Sequence, residues 1–240
     1  MRFMIMHKLT PTLEAGVMPT REEIAEIHGM MGEAGAAGIL RGGEGLRPSR
    51  FRHHVVYRGG KRTVTEGPFV GLGELPASVL SLHVRTTDEA LGWLDRVAAI
   101  QGDLELVLGL CTEAWDLGFA EKPENPPLRL LAVFHADART EGDKPLAPEA
   151  LAALSALFED MRKADVLRGA ETLRSSRYGA RILLEQGTAS TIDGPFAESK
   201  ELLLGYGIFE LPSKKEAVEW GLRWAHTIRV QEVEVRELVD

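Results

Sequence analysis

Leu40-Arg-Gly-Gly-Glu-Gly-Leu-Arg-Pro-Ser-Arg50 and Leu167-Arg-Gly-Ala-Glu-Thr-Leu-Arg-Ser-Ser-Arg177 agree at eight of eleven positions, at an offset of 127 residues. The same offset carries Arg2 onto Arg129 and Gly67-Pro68-Phe69 onto Gly194-Pro195-Phe196. It also carries Glu89, Ala90, Trp93 and Arg96 onto Glu216, Ala217, Trp220 and Arg223. One ungapped shift over so long a stretch is an internal repeat, and a repeat constrains architecture before any single motif is weighed. The copies cover 1–111 and 128–240. Between them, 112–127 contains Lys122-Pro-Glu-Asn-Pro-Pro127 and reads as a semi-extended linker. Trp115 and Phe119 are expected to pack that linker onto the first copy.

Both copies show one order of elements. Arg2 to Lys8 and Arg129 to His135 are short apolar runs, read as first strands. Thr20-Arg-Glu-Glu23 opens a helix as a capping box, followed by Ile24, Ile27, Met30 and Met31 at helical spacing. In the second copy Pro148 sits at a helix start, ahead of Leu151, Leu154, Leu157, Phe158 and Met161. Hairpins follow at His53 to Arg58 with Arg62 to Thr65, turning on Gly59-Gly60, and at Ala180 to Glu185 with Ala189 to Ile192, turning on Gln186-Gly187. Strands Val79 to Val84 and Leu204 to Leu211 come next. Thr86-Thr-Asp-Glu89 and Ser213-Lys-Lys-Glu216 then cap second helices, and strands Leu104 to Leu110 and Val230 to Val239 close the copies. The order β-α-β-β-β-α-β predicts an α+β fold of two ferredoxin-like units, helices covering one sheet face. The other face needs burial, so the units are expected to pack as an intramolecular pseudo-dimer with sheets facing across a cavity.

Bulk properties narrow the function classes. A net charge of −8 argues against a nucleic-acid or anionic-membrane surface. Arg41, Arg47, Arg50 and Arg52 form a local basic cluster, read as solvated or structural charge. The single cysteine, Cys111, allows no intramolecular disulfide, which fits a cytoplasmic setting. The opening run is too short and too soon interrupted for a signal peptide, and no stretch approaches the roughly 20 apolar residues that span a bilayer. No P-loop, Gly-x-Gly-x-x-Gly, Gly-x-Ser-x-Gly or His-Glu-x-x-His occurs, and adjacent His53 and His54 point to opposite faces of a strand. Neither metal nor cofactor is expected.

Thr191-Ile-Asp-Gly-Pro-Phe-Ala-Glu-Ser-Lys-Glu201 with Gly205-Tyr206 resembles the signature of the DGPF group of YCII-related proteins. Arg41-Gly-Gly-Glu-Gly-Leu46 and Glu14-Ala-Gly-Val-Met-Pro19 resemble further elements of that family. The resemblance implies a dimeric α+β barrel with a cleft between paired sheets, in small cytoplasmic enzymes or binding proteins. It also implies a His–Asp pair facing that cavity and, for some members, an association with extracytoplasmic-function sigma factors. The first copy departs from the pattern, with Glu66 in place of Asp and Val70-Gly-Leu-Gly-Glu74 in place of Ala197-Glu-Ser-Lys-Glu201; the intact acidic loop belongs to the second.

The candidate acid and base are Asp193, at a Gly-Pro turn, and His7, at the end of the first strand. Against these stand structural readings: a carboxylate bonded to its own turn, and a strand-end histidine with no chemistry. Glu44 and Glu171 occupy equivalent places and are candidates for ligand binding, or for ion pairs with Arg41 and Arg168. Arg168, Phe196, Lys200 and His135 complete the candidate ligand set, with core packing for Phe196 and solvation for Lys200 as the alternatives. His135 falls one residue past the repeat position of His7, which is Phe134, so alternation directs the two histidines to opposite faces. The leading expectation is a small-molecule protein running lyase- or isomerase-like proton transfer; the rival is a non-catalytic accessory or sensor protein. The partner expected is a small-molecule ligand, with neither nucleic acid nor membrane. A further homodimer of fused chains stays open.

Overall fold

The computed structural model describes residues 1–17, 19–185, 188–199 and 201–239. Its strands form two antiparallel six-stranded sheets, in an α+β fold of two ferredoxin-like units. The first compact unit comprises Met1–Pro48, Gly71–Glu74 and Leu173–Asp240; the second comprises Ser49–Val70 and Leu75–Thr172. These units do not coincide with the two stretches 1–111 and 128–240. Each sheet draws strands from both.

The first unit holds β1 (Arg2–Lys8), α1 (Pro11–Glu14), α2 (Arg21–Ala36) and β2 (Leu40–Gly45) from the N-terminal half. From the C-terminal half it takes β9 (Ala180–Glu185), β10 (Thr188–Asp193), β11 (Leu203–Glu210), α5 (Lys214–Ile228) and β12 (Glu232–Glu237). Its sheet order is β10-β9-β12-β1-β11-β2. The second unit holds β3 (Arg52–Arg58), β4 (Lys61–Glu66), β5 (Pro76–Val84), α3 (Thr87–Gln101), β6 (Leu104–Leu110), β7 (Leu128–His135), α4 (Pro148–Lys163) and β8 (Leu167–Thr172). Its order, β4-β3-β6-β7-β5-β8, is that of the first sheet under the 127-residue offset.

The exchange follows from the joint between the halves. Strand β6 runs directly into an antiparallel partner, β7, with Leu106 opposite Phe134 and Leu110 opposite Leu130. Consecutive strands are usually spatial neighbours, and an antiparallel pair needs only a loop. Residues 112–127 are that loop. Its start is tied down by an ion pair of Glu113 with Arg129 (3.0 Å), whereas Phe119 is 50% exposed and Trp115 half-buried. In the first sheet β1 meets β12 in the same way, Phe3 opposite Glu237 and His7 opposite Val233. The chain ends there lie side by side, Leu238 N–H donating to the Arg2 carbonyl (2.9 Å).

Two strands depart from the expected order. Both β2 and β8, the repeated Leu-Arg-Gly segments, are edge strands, making the order β-α-β-β-β-β-α-β. Neither sequence carries apolar alternation, and β2, glycine-rich and mostly exposed, needs none. The caps behave as read. Thr20 Oγ1 accepts from Glu23 N–H (3.2 Å) while Glu23 accepts from Thr20 N–H (2.7 Å). Gly59 and Gly60 both have positive φ, as a two-residue hairpin requires. The Gln186-Gly187 turn lies outside the described residues.

In the first unit Phe3 and Ile5 of β1, Val233 and Val235 of β12 and Phe209 pack under Met30, Ala34, Trp224 and Ala225 of the helices. By alternation, Met4, Met6 and Lys8 lie on the opposite face. In the second unit Leu130, Ala132 and Phe134 of β7 share the helix-side core with Leu94, Val97, Leu157 and Met161.

Candidate functional site

In the first unit β1 ends with an irregularity at His7/Lys8, and Leu9 N–H donates to the Leu202 carbonyl (2.7 Å). The chain then turns through α1, with Thr10 as its N-cap, into the capping box of α2. Helix α5 ends at the same place, Arg229 adopting φ 54° in the left-handed region as its C-cap. Arg229 ties the end of α5 to the start of α2 through Glu23 and Glu26 (3.1 Å to Glu26). The backbone N–H of Thr20, followed by the Arg229 guanidinium, holds the Glu23 carboxyl below its ordinary value.

The end of β1, the start of α2 and the end of α5 border a half-open cavity of about 950 Å3. Leu13, Ile27, Leu183, Leu204 and Ile228 supply apolar wall, and His7 and Trp224 also line it. Trp224 Nε1–H donates to His7 Nδ1 (3.3 Å), with the rings 5.8 Å apart. Burial, and then the charge of neighbouring Lys8, push the His7 imidazole down to about 4 from an ordinary 6.5, so the ring is neutral near neutral pH.

Two glycines make this arrangement fit. A Cβ at Gly205 would come within 2.6 Å of His7 Cε1, and one at Gly207 within 2.8 Å of the Trp224 and Phe209 rings. Under the 127-residue offset the second unit has Phe134, Val97, Ser78 and Leu80 where the first has His7, Trp224, Gly205 and Gly207. Phe134, Val97 and Leu80 are all packed into its apolar core. The cavity chemistry belongs to one unit.

The remaining candidates lie elsewhere. Asp193 ends the edge strand β10 with its side chain 78% exposed, paired with Lys214 (2.7 Å) rather than with histidine. It is not among the residues lining the His7 cavity, so the structure does not assemble the anticipated His7–Asp193 pair. The Gly-Pro-Phe element beside it has a packing role. A Cβ on Gly194 would strike the Ser176 carbonyl at 1.9 Å, and Phe196 N–H donates to Ser176 Oγ (2.9 Å). Gly67, Phe69 and Ser49 repeat this in the second unit, at 1.9 Å and 3.1 Å. The Arg181 guanidinium stacks 4.5 Å over the Phe196 ring.

Glu44 and Glu171 sit half-buried on the edge strands β2 and β8, opposite Tyr206 and Val79. The neighbouring arginines are engaged elsewhere: Arg41 pairs with Glu210 (2.7 Å), and Arg168 pairs with Asp165 (2.5 Å) and donates to His83 Nδ1 (3.3 Å). Of the basic cluster, Arg52 is buried, a structural position. Lys200 lies outside the described residues.

His135 faces away from the helices, as alternation required. Its Nδ1 lies 3.5 Å from Glu105 Oε1, which His54 Nε2 approaches to 2.8 Å, and the two imidazoles stack at 6.2 Å. The offset maps His135, His54 and Glu105 onto Lys8, Arg181 and Glu232 of the first unit. There Arg181 lies near Glu232 (3.3 Å) and Glu234 (2.9 Å), and Arg236 contacts Glu234 at 3.1 Å. Burial raises the Glu234 carboxyl, but the charges of Lys8, Arg236 and Arg181 outweigh that and hold it below its ordinary value.

Sequence reading found His7 and passed over Trp224, Gly205 and Gly207 as participants. The offset comparison carried a signal, since tryptophan stands where the other half has valine.

The architecture is that of an α+β protein whose ferredoxin-like units each combine strands from both halves of the chain, with a histidine-floored cavity in one. A family model for the YCII-related domain matches residues 133–238. No curated protein and no solved structure matches the chain. Among the described residues no helix is long and apolar enough to cross a membrane.

Proposed function

We propose that the N-terminal half is a second, diverged YCII-related copy, and that the chain is a cytoplasmic small-molecule protein whose ligand occupies the cavity at the end of β1. There the ligand undergoes lyase- or isomerase-like acid–base chemistry in which His7 takes part. One observation carries this reading: a half-buried imidazole, held at Nδ1 by an indole N–H, on the wall of a cavity large enough for a metabolite. Perturbed ionisable groups in concave, mainly apolar sites are candidates for function. Asp193 has no part in this reading.

The test is a thermal-shift screen of the protein and its His7→Phe variant against a metabolite library. A ligand at a hundred times its Kd adds about 2.7 kcal/mol of stability. Hits lost in the variant support the cavity. Hits retained undiminished in the variant contradict it.

A further inference from the structure

Resting on that reading of the cavity, we propose that Trp224 fixes His7 as a neutral hydrogen-bond donor through Nε2, and that the cavity therefore takes ligands presenting a carbonyl oxygen. An indole N–H only donates, so the nitrogen it faces, His7 Nδ1 at 3.3 Å, must offer its lone pair. The single proton of the neutral ring is then on Nε2. A second proton, on Nδ1, would point at the indole N–H, so the same contact disfavours imidazolium.

The Nε2–H has no hydrogen-bond partner among the described residues, and the cavity that His7 lines has Leu13, Ile27, Leu204 and Ile228 on its wall beside polar residues such as Thr10 and Glu201. A donor with no protein partner gains most from an acceptor that arrives with the ligand and replaces its water. Gly205 keeps the Cε1–Nε2 edge clear, because any Cβ would sit against it. A carbonyl compound with an apolar body meets both demands: its oxygen accepts from Nε2–H and its body contacts the aliphatic wall. A fixed neutral donor polarises that oxygen without having to reorganise. His7 polarises the ligand, and Trp224 is a positioning residue acting through it.

The tautomer can be read directly on the full chain labelled with 15N-histidine, by long-range proton–nitrogen correlation at pH 7, with His7 assigned by its loss in His7→Phe. The expected spectrum is that of an Nε2–H imidazole. Cyclohexanone should move the His7 Nε2 resonance, and methylenecyclohexane, of the same shape but without the oxygen, should not. In Trp224→Phe, which keeps a ring and removes the donor, His7 should populate both tautomers and the cyclohexanone response should fall several-fold. An Nδ1–H or charged His7 in the unaltered protein overturns the proposal, whether or not the variant folds. So does an Nε2 resonance that ignores cyclohexanone at 100 mM, or answers both probes alike. A metabolite hit lost in His7→Phe, alongside an Nδ1–H ring, would leave the cavity reading standing and remove this one.

Discussion

The two units share one strand order and differ in what occupies corresponding places. On the helix side the first has His7, Trp224, Gly205 and Gly207, and the second has Phe134, Val97, Ser78 and Leu80. On the opposite face the first carries the buried charges Glu234 and Arg236, and the second has Val107 and Gly109 in their places. A repeated fold needs both units to bury their cores, and apolar residues satisfy that in the second. At these places only the first unit keeps polar groups that cost desolvation, the second burying its charge elsewhere, at Arg52. Where such groups persist without being needed for packing, function is the better explanation.

The largest effect that could break this comparison is at Glu234. Glu234→Gln leaves Arg181 and Arg236 without their shared buried counter-charge and should cost about 3–5 kcal/mol. Val107→Ala in the second unit should cost about 1–2 kcal/mol, measured by denaturant unfolding. Equal losses would mean that the charged cluster is no more demanding than the apolar one.

His7 comes next. Its folded-state value of about 4 lies below the ordinary 6.5, so the unfolded chain binds more protons between the two. Stability from this group is complete above pH 6.5 and lost as pH falls towards about 4, by up to about 3 kcal/mol. Lys8 also bears on the ring, and Glu23, Glu185, Glu201, Arg229 and Glu232 line the same cavity and titrate or carry charge there, so the comparison is with His7→Phe, the residue of the other half. That variant should flatten the slope across the window, and an unchanged slope would show that His7 does not titrate this way.

Gly205→Ala puts a methyl group 2.6 Å from His7 Cε1 and should cost about 1–3 kcal/mol while abolishing any ligand response. Ser78→Ala, at the corresponding place, should stay within about 0.5 kcal/mol. The smallest effect belongs to Asp193. Its exposed pair with Lys214 contributes at most about 1 kcal/mol, so Asp193→Asn should leave both stability and ligand response close to unchanged. Loss of binding in that variant would return the acidic turn to the site.

Much of the fold was legible because strands and helices announce themselves locally: Arg2 to Lys8, Ala180 to Glu185 and Leu104 to Leu110 are the observed limits of β1, β9 and β6. The edge strands β2 and β8 were not, since Leu-Arg-Gly-Gly-Glu-Gly shows no period. The exchange between halves was illegible for a different reason. The alternation of β1 fits β5 and β6 as well as their counterparts β11 and β12, and local pattern does not choose between equivalent partners. At the site, His7 stood out by chemistry. Trp224, on an amphipathic helix, is indistinguishable in sequence from a core residue until its indole N–H is seen against His7 Nδ1. Gly205 was visible only as part of a motif, because the reason for a missing side chain is the neighbour that fills its place.

The central claim is that residues 217 positions apart, His7 and Trp224, form one site within one unit. A double-mutant cycle tests it: the unfolding free energies of the protein, His7→Phe, Trp224→Phe and the double variant. The account predicts a coupling of about 0.5–1.5 kcal/mol between the two positions, as for side chains in contact. Strictly additive losses would contradict it.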